Sequence, residues 1–225
     1  MPILLASSNP HKVSEIRAIW DELSAAAGRA TIDLITLDAL DRAIDEPVED
    51  QATFEGNALL KARHYGAATG MSCLADDSGL EVDALGGEPG VRSARFAGIE
   101  GGRAEVDPAN NRLLIDRLGD TPIDNRTARF VCAMVLVAPA NAPAGAEIVV
   151  RGTLEGRVLT RDEAGGDARG RGGNGFGYDP LFLVPSLGRT TAELDPAHKN
   201  RISHRGNAAR AMWQWLCEAV GTARR

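Results

Sequence analysis

Two segments of this chain place cations where a helix is expected to begin. In the first, the apolar run Ile3-Leu4-Leu5-Ala6 gives way to Ser7-Ser8-Asn9, and Pro10-His11-Lys12 follows. Strand, polar turn, helix is the layout that points free backbone N–H groups at an anion. Lys12 falls in the first helical turn, where a cation opposes the helix dipole and a bound phosphate reverses that penalty. Ser203-His204-Arg205 repeats the pattern at the start of the last helix. A capped helix with solvated cations accounts for either segment alone. Two of them in one chain point to a phosphate or nucleotide ligand.

Acidic residues offer the complementary chemistry. Asp76-Asp77-Ser78-Gly79 follows the apolar residues 71–75. Adjacent residues of an extended chain point to opposite faces, so one aspartate is expected to face a pocket and the other to support the backbone. A carboxylate among lysines stays ionised, binds Mg²⁺, and can orient or deprotonate a water. A polar, capped turn would carry the same residues. Residues 46–50 supply further carboxylates, of which Glu49 is the expected second metal contact. Asn57 and Lys61 are four apart and share a helix face, which makes Lys61 either a further phosphate contact or part of a solvated surface. In Gly173-Asn174-Gly175-Phe176-Gly177-Tyr178-Asp179-Pro180, an aromatic between glycines is open to stack on a base. The same letters suit a tight turn into a strand. No GK[ST] follows, and the segment does not open a helix, so it is neither a Walker A loop nor a dinucleotide fingerprint.

The elements that must position these groups are legible in outline. Strands are expected over residues 3–6, 31–37, 71–75, 80–85, 130–138, 147–154 and 181–184. Helices are expected from Pro10, from an N-cap at Thr53 to about 69, over 108–118, and from Ser203 with Ala209, Met212, Trp213, Leu216 and Val220 on one face. Residues 165–177 are glycine-rich and read as a mobile loop whose glycines allow close approach to a ligand. Loosely alternating strands and helices without a clear linker imply an α/β fold with a mixed β-sheet in a single domain over residues 1–225.

Composition narrows the function classes. Among 225 residues the formal net charge is −6, which argues against nucleic acid as a partner. No run approaches the ~18 apolar residues of a membrane span. Met1 to Ala6 carries no charged leader region and is too short for a signal peptide. Cys73, Cys132 and Cys217 each lie in an apolar run and form no CxxC pair, so buried free thiols and a cytoplasmic location are expected.

The motifs together resemble the inosine triphosphatase, or HAM1-like, family of pyrophosphatases acting on non-standard purine nucleoside triphosphates. The matching stretches are LASSNPHK (5–12), TFEGNALLKAR (53–63), LADDSGLEVDALGGEPGVRSARFAG (74–98), GFGYDPLF (175–182) and ISHRG (202–206), in the family's order. The resemblance implies an elongated mixed sheet flanked by helices, with two lobes, a central nucleotide-binding cleft and a homodimer. It implies Mg²⁺-dependent hydrolysis of ITP, dITP and XTP to the monophosphate and pyrophosphate. Carried onto this chain, Ser7, Ser8, Asn9, Pro10, His11 and Lys12 form the triphosphate turn, and Lys61 is a further contact. Asp77 is the metal ligand and proton acceptor, Glu49 the second metal ligand, and Ser78 a substrate contact. Phe176, Gly177, Tyr178 and Asp179 line the base pocket, and Lys199, His204 and Arg205 also touch the nucleotide, with Arg205 donating to the base O6. Gly56 departs from the family, which often has an acidic residue beside Asn57. Alternative readings are a Maf-like pyrophosphatase, against which SHRG and FGYD argue, and a non-catalytic nucleotide sensor.

Overall fold

The computed structural model describes residues 2–139 and 147–222, with the side chains of 220–222, Val220 among them, outside the described set. In chain order the elements are β1 (Ile3–Leu5), α1 (Pro10–Ala26), β2 (Leu34–Thr36), α2 (Phe54–Thr69), β3 (Ser72–Val82), α3 (Arg103–Leu118), β4 (Thr127–Val137), β5 (Glu147–Val158), β6 (Phe182–Val184), β7 (Arg189–Thr190), α4 (Pro196–Ile202) and α5 (His204–Thr222). The sheet runs β2-β1-β3-β4-β5-β6-β7. It is parallel where β1 meets β2 and β3, and antiparallel from β5 through β7, so the α/β class with a mixed sheet holds. Among the described residues no helix is long and apolar enough to cross a membrane.

The chain divides into two compact units. The first comprises Met1–Asp77, Cys132–Gly152 and His204–Arg225. Its core obeys strand alternation. Ile3, Leu5, Leu74, Cys132 and Met134 face Ile16, Ile19 and Trp20 of α1 and Ala209 and Met212 of α5. Leu4, Ala6, Cys73, Ala75 and Val135 face Ala58, Ala62 and Tyr65 of α2. Trp20 Nε1 donates to the Ala209 carbonyl at 2.9 Å, which fixes α1 against α5.

The second unit comprises Ser78–Val131 and Thr153–Ser203. Leu80, Val82, Leu114, Ile115, Phe130, Val158, Tyr178 and Phe182 share its core. The rings of Phe130 and Phe182 lie 4.4 Å apart. Arg126 is buried, and its guanidinium donates to the carbonyls of Gly119, Thr121 and Leu159 at 2.7, 3.1 and 3.1 Å.

Several expected boundaries are corrected. Residues 71–75 and 80–85 are not two strands separated by a turn. One continuous strand, β3, carries Asp76 and Asp77 in its interior. Helix α3 starts at Arg103, with Pro108 inside it, because the loss of one backbone bond is tolerated where the apolar face continues to Leu118. Helix α4 was not expected from the sequence, although Asp195-Pro196 is a cap followed by a first-turn proline and Asp195 accepts the His198 N–H at 2.8 Å. Ser203 ends α4 as its C-cap, and α5 begins at His204. The glycine-rich stretch is bonded along its length, with Gly170 N–H on the Ala164 carbonyl at 2.8 Å, Arg171 N–H on Pro180 at 2.9 Å and Asn174 N–H on Ala192 at 3.0 Å. Cys73 and Cys132 are buried free thiols, whereas Cys217 is half-buried.

Candidate active site

In the first unit the alternation that builds the core also sorts the two aspartates. Asp76 continues the face of Leu74, and Asp77 continues the face of Cys73 and Ala75. Asp76 therefore meets α1 and α5. Its Oδ2 lies 3.0 Å from Lys12 Nζ and 3.4 Å from Arg205 Nε. Arg205 Nη1 also donates to Glu15 Oε2 at 2.5 Å. Asp77 meets α2, where Asn57 Nδ2 donates to its Oδ2 at 3.1 Å and Lys61 Nζ lies 3.9 Å from its Oδ1. Lys61 Nζ is also 2.7 Å from Glu49 Oε1.

Helix ends set the remaining geometry. Asn9 caps α1 by accepting the His11 N–H at 3.0 Å, and its own N–H donates to Ser7 Oγ at 3.3 Å. The Asn9 amide nitrogen is buried without a hydrogen-bond partner, a donor suited to an incoming oxygen. Ser8, Pro10 and His11 are exposed on the same turn. Thr53 caps α2 through Gly56 N–H at 3.0 Å. A Cβ at Gly56 would approach the Gln51 Cβ to 2.9 Å, so the packing of Gln51 over this turn requires glycine there.

The electrostatic surroundings of the two neighbours differ in sign. Burial alone would raise the Asp76 carboxyl, but Lys12, Arg205 and Lys61 outweigh it and hold Asp76 well below the ordinary carboxylate range. At Asp77 burial prevails over Lys61, Lys12 and the Asn57 hydrogen bond, and the carboxyl is pushed up. Lys61 is pushed up in turn, because Asp77, Asp76 and Glu49 outweigh its burial. Two carboxyl groups driven apart suit one permanent anion and one proton acceptor.

The donor set fits a hard divalent cation. Glu49 and Asp77 both reach the single ammonium of Lys61, so two carboxylates already converge on one positive charge. Asp76 Oδ1 is a further buried oxygen without a hydrogen-bond partner. Among the described residues no group of three or more His, Cys, Asp or Glu forms a ready cage. Mg²⁺ commonly takes only one or two carboxylates and completes its shell with water and substrate phosphates.

The second unit holds the phenylalanine turn. Asp179 is buried beneath it. Its Oδ2 accepts the Phe176 N–H at 2.8 Å and Lys199 Nζ at 2.6 Å, and its Oδ1 accepts the Thr191 hydroxyl at 2.7 Å. Gly175 has φ +78°, and a Cβ there would fall 2.0 Å from Asp179 Oδ2. Gly177 N–H donates to Asp107 Oδ2 at 2.9 Å, and Gly177 carbonyl accepts Asn111 Nδ2 at 3.1 Å. Tyr178 donates its hydroxyl to the Ser93 carbonyl at 2.9 Å, and burial pushes that hydroxyl up. Phe176 itself remains half-buried.

The expected site residues thus assort into two sets. Lys12, Glu49, Lys61, Asp77 and Arg205 share the first-unit cluster, with His204 buried at the start of α5. Phe176, Gly177, Tyr178, Asp179 and Lys199 share the second-unit turn. Lys199, expected to touch the nucleotide, is bonded to Asp179. The Arg205 guanidinium, expected at a base oxygen, is engaged by Glu15 and Asp76. Tyr178 and Asp179 lie under the turn, where they shape it. Ser78 is half-buried and follows Asp77 in β3. Glu15 and Asp107 were missed. Glu15 was within reach of helical spacing, since it stands three residues after Lys12.

Comparison with known proteins follows these motifs. The Ham1 family profile matches residues 3–215. A dITP/XTP pyrophosphatase from Exiguobacterium sibiricum is 47% identical over 221 residues, covering 98% of this chain and 100% of that protein. A dITP/XTP pyrophosphatase from Frankia alni is 45% identical over 221 residues, covering 98% and 99%. Among solved structures, a HAM1 protein from Coxiella burnetii superposes with a TM-score of 0.79 at 36% identity, covering 97% and 99%. The nucleoside-triphosphatase, dITP/XTP pyrophosphatase, from Mycobacterium abscessus superposes with a TM-score of 0.69 at 42% identity, covering 94% and 97%.

Proposed function

We propose that the chain, which belongs to the Ham1 family, is a Mg²⁺-dependent pyrophosphatase hydrolysing ITP, dITP and XTP to the nucleoside monophosphate and pyrophosphate. The observation that carries the reading is the pair Asp76 and Asp77, adjacent in one strand, with one carboxyl held low by Lys12 and Arg205 and the other pushed up by burial.

The residues take separate tasks. The Asn9 turn and Lys12 bind triphosphate oxygens through N–H and ammonium donors. Asp76 stays ionised and keeps Lys12 and Arg205 in place. Asp77 accepts the proton of the water that attacks the α-phosphorus, a role suited to a carboxyl whose basicity burial has increased. Asn57 fixes the orientation of Asp77 by donating to its Oδ2. Lys61 stabilises charge that develops on the leaving pyrophosphate. Glu49 and Asp77 would hold the divalent cation, which when bound neutralises phosphate charge and fixes the triphosphate. Phe176 presents its ring to the purine, with Tyr178, Asp179 and Lys199 bracing the turn.

In this reading residues 1–225 act as a single catalytic domain. Ser78 contacts substrate, and His204 and Arg205 support the triphosphate side. A cytoplasmic homodimer that takes no nucleic acid completes the proposal. The buried free thiols Cys73 and Cys132 suit a reducing compartment.

The test is pyrophosphate release by the full chain with Mg²⁺ and a panel of triphosphates. Faster release from ITP, dITP and XTP than from ATP and GTP is expected. Binding without release would return the sensor reading, and equal turnover of ATP would end the substrate assignment.

A further inference from the structure

Arg103 shares the ring of Phe176. Its guanidinium carbon lies 4.9 Å from the ring centroid, and Lys199 Nζ lies 5.2 Å from the same centroid. Both cations are within cation–π reach of one phenyl group. Their circumstances differ. Lys199 is buried and bonded to Asp179 at 2.6 Å, so it belongs to the scaffold of the turn. The Arg103 side chain is 46% exposed, and the carboxylate beside it is Asp107 at 3.6 Å. Asp107 Oδ2 is also the acceptor of the Gly177 N–H at 2.9 Å. One carboxylate thus ties the head of Arg103 to the backbone turn that carries Phe176.

The chemistry of the head completes the picture. A guanidinium is planar and stacks on aromatic faces, so the plane that now lies against the Phe176 ring can lie against a purine in the same way.

We propose that Arg103 is a base-binding residue that caps the purine. On entry of the base it leaves the Phe176 ring, remains tethered by Asp107 and stacks on the outer face of the base. This rests on the reading of Phe176 as the base platform.

Steady-state kinetics of Arg103→Ala, Arg103→Lys and Phe176→Ala with XTP and dITP test it, with inhibition by inorganic tripolyphosphate as a probe that has no base. Arg103→Ala is expected to raise KM for both nucleotides about fivefold, a loss of cation–π size, with kcat nearly constant. Arg103→Lys is expected to recover only part of that loss, because it keeps the charge and loses the plane. Tripolyphosphate inhibition should stay unchanged in both. If Phe176→Ala raises KM and Arg103→Ala does not, the cap is wrong and the base platform stands. If neither raises KM, the platform reading fails and takes the cap with it. Equal weakening of nucleotide and tripolyphosphate would make Arg103 a phosphate ligand and overturn the inference.

Discussion

The charged cluster of the first unit hangs on regular elements, whereas the phenylalanine turn of the second hangs on side chains bonded to loop backbone. Asp76 and Asp77 diverge because strand residues alternate, and Asn57 and Lys61 converge because helix residues four apart share a face. Phe176 has no such periodicity behind it. Its position follows from Asp179 accepting its N–H, Asp107 holding the next N–H, and Tyr178 reaching Ser93. Periodic elements can hold several like and unlike charges at fixed spacing. A turn can hold one aromatic open only if buried side chains satisfy the backbone beneath it. The comparison teaches that the proposed chemistry and the proposed recognition rest on different mechanical supports and should fail separately.

The largest expected effect separates the two neighbours within the first region. Asp77→Asn should lower kcat at least about 100-fold, the usual scale of a lost general base. The same variant should melt no lower than the wild type at neutral pH. A folded-state value raised above the unfolded one stabilises only below the unfolded value, and that contribution is gone once pH exceeds the folded value, so the amide removes a strained charge. Near-normal kcat in this variant would dismiss Asp77 as the proton acceptor.

Asp76→Asn should act in the opposite sense on stability. It leaves Lys12 and Arg205 facing a neutral amide in a buried place, a change that costs about 3 kcal/mol. The Asp76 value is depressed by folding, so its contribution is present above the ordinary value of 3.8 and is lost as pH falls towards the folded value. Chemical denaturation across pH should show the gap between wild type and variant constant near neutrality and shrinking in acid. A gap that widens in acid contradicts the assignment.

Gly175→Ala probes the second region. At φ +78°, with the new Cβ 2.0 Å from Asp179 Oδ2, the turn must shift. We expect KM for XTP to rise about tenfold, as for a loss of roughly 1.4 kcal/mol, while kcat changes little. A fall in kcat without a change in KM would show that the two regions do not divide the work in this way.

The smallest effect concerns acid titration. Because burial pushes Asp77 above its ordinary 3.8, its carboxyl in the metal-free protein should take up a proton at higher pH than an exposed aspartate would. An NMR titration of that carboxyl without Mg²⁺ measures this directly, and a midpoint at or below 3.8 would mean that burial does not govern it.

Much of the first region was legible in the residues. The run Ile3-Leu4-Leu5 before Asn9-Pro10 marks a strand and a capped helix, and Thr53 marks the next cap. Glu15 escaped although helical spacing from Lys12 pointed to it. Less of the second region was legible. Arg103 and Asp107 form an i,i+4 pair on α3, and placing the helix start at Pro108 hid it, since proline reads as a first-turn residue. The strand carrying Asp76 and Asp77 reads as two in the sequence, because a polar Asp-Asp-Ser-Gly run looks like a turn until buried partners satisfy it.

By itself the sequence determined the α/β alternation, the starts of α1 and α2, the residues able to meet an anion and the carboxylates able to meet a cation, because periodicity and side-chain chemistry are local properties. Only the tertiary structure decided which aspartate is held low and which is pushed up, that Arg205 joins Glu15 and Asp76, and that Lys199 braces Asp179. Burial and the partners within a few ångströms set the state of a charge, and residues far apart in the chain supply both.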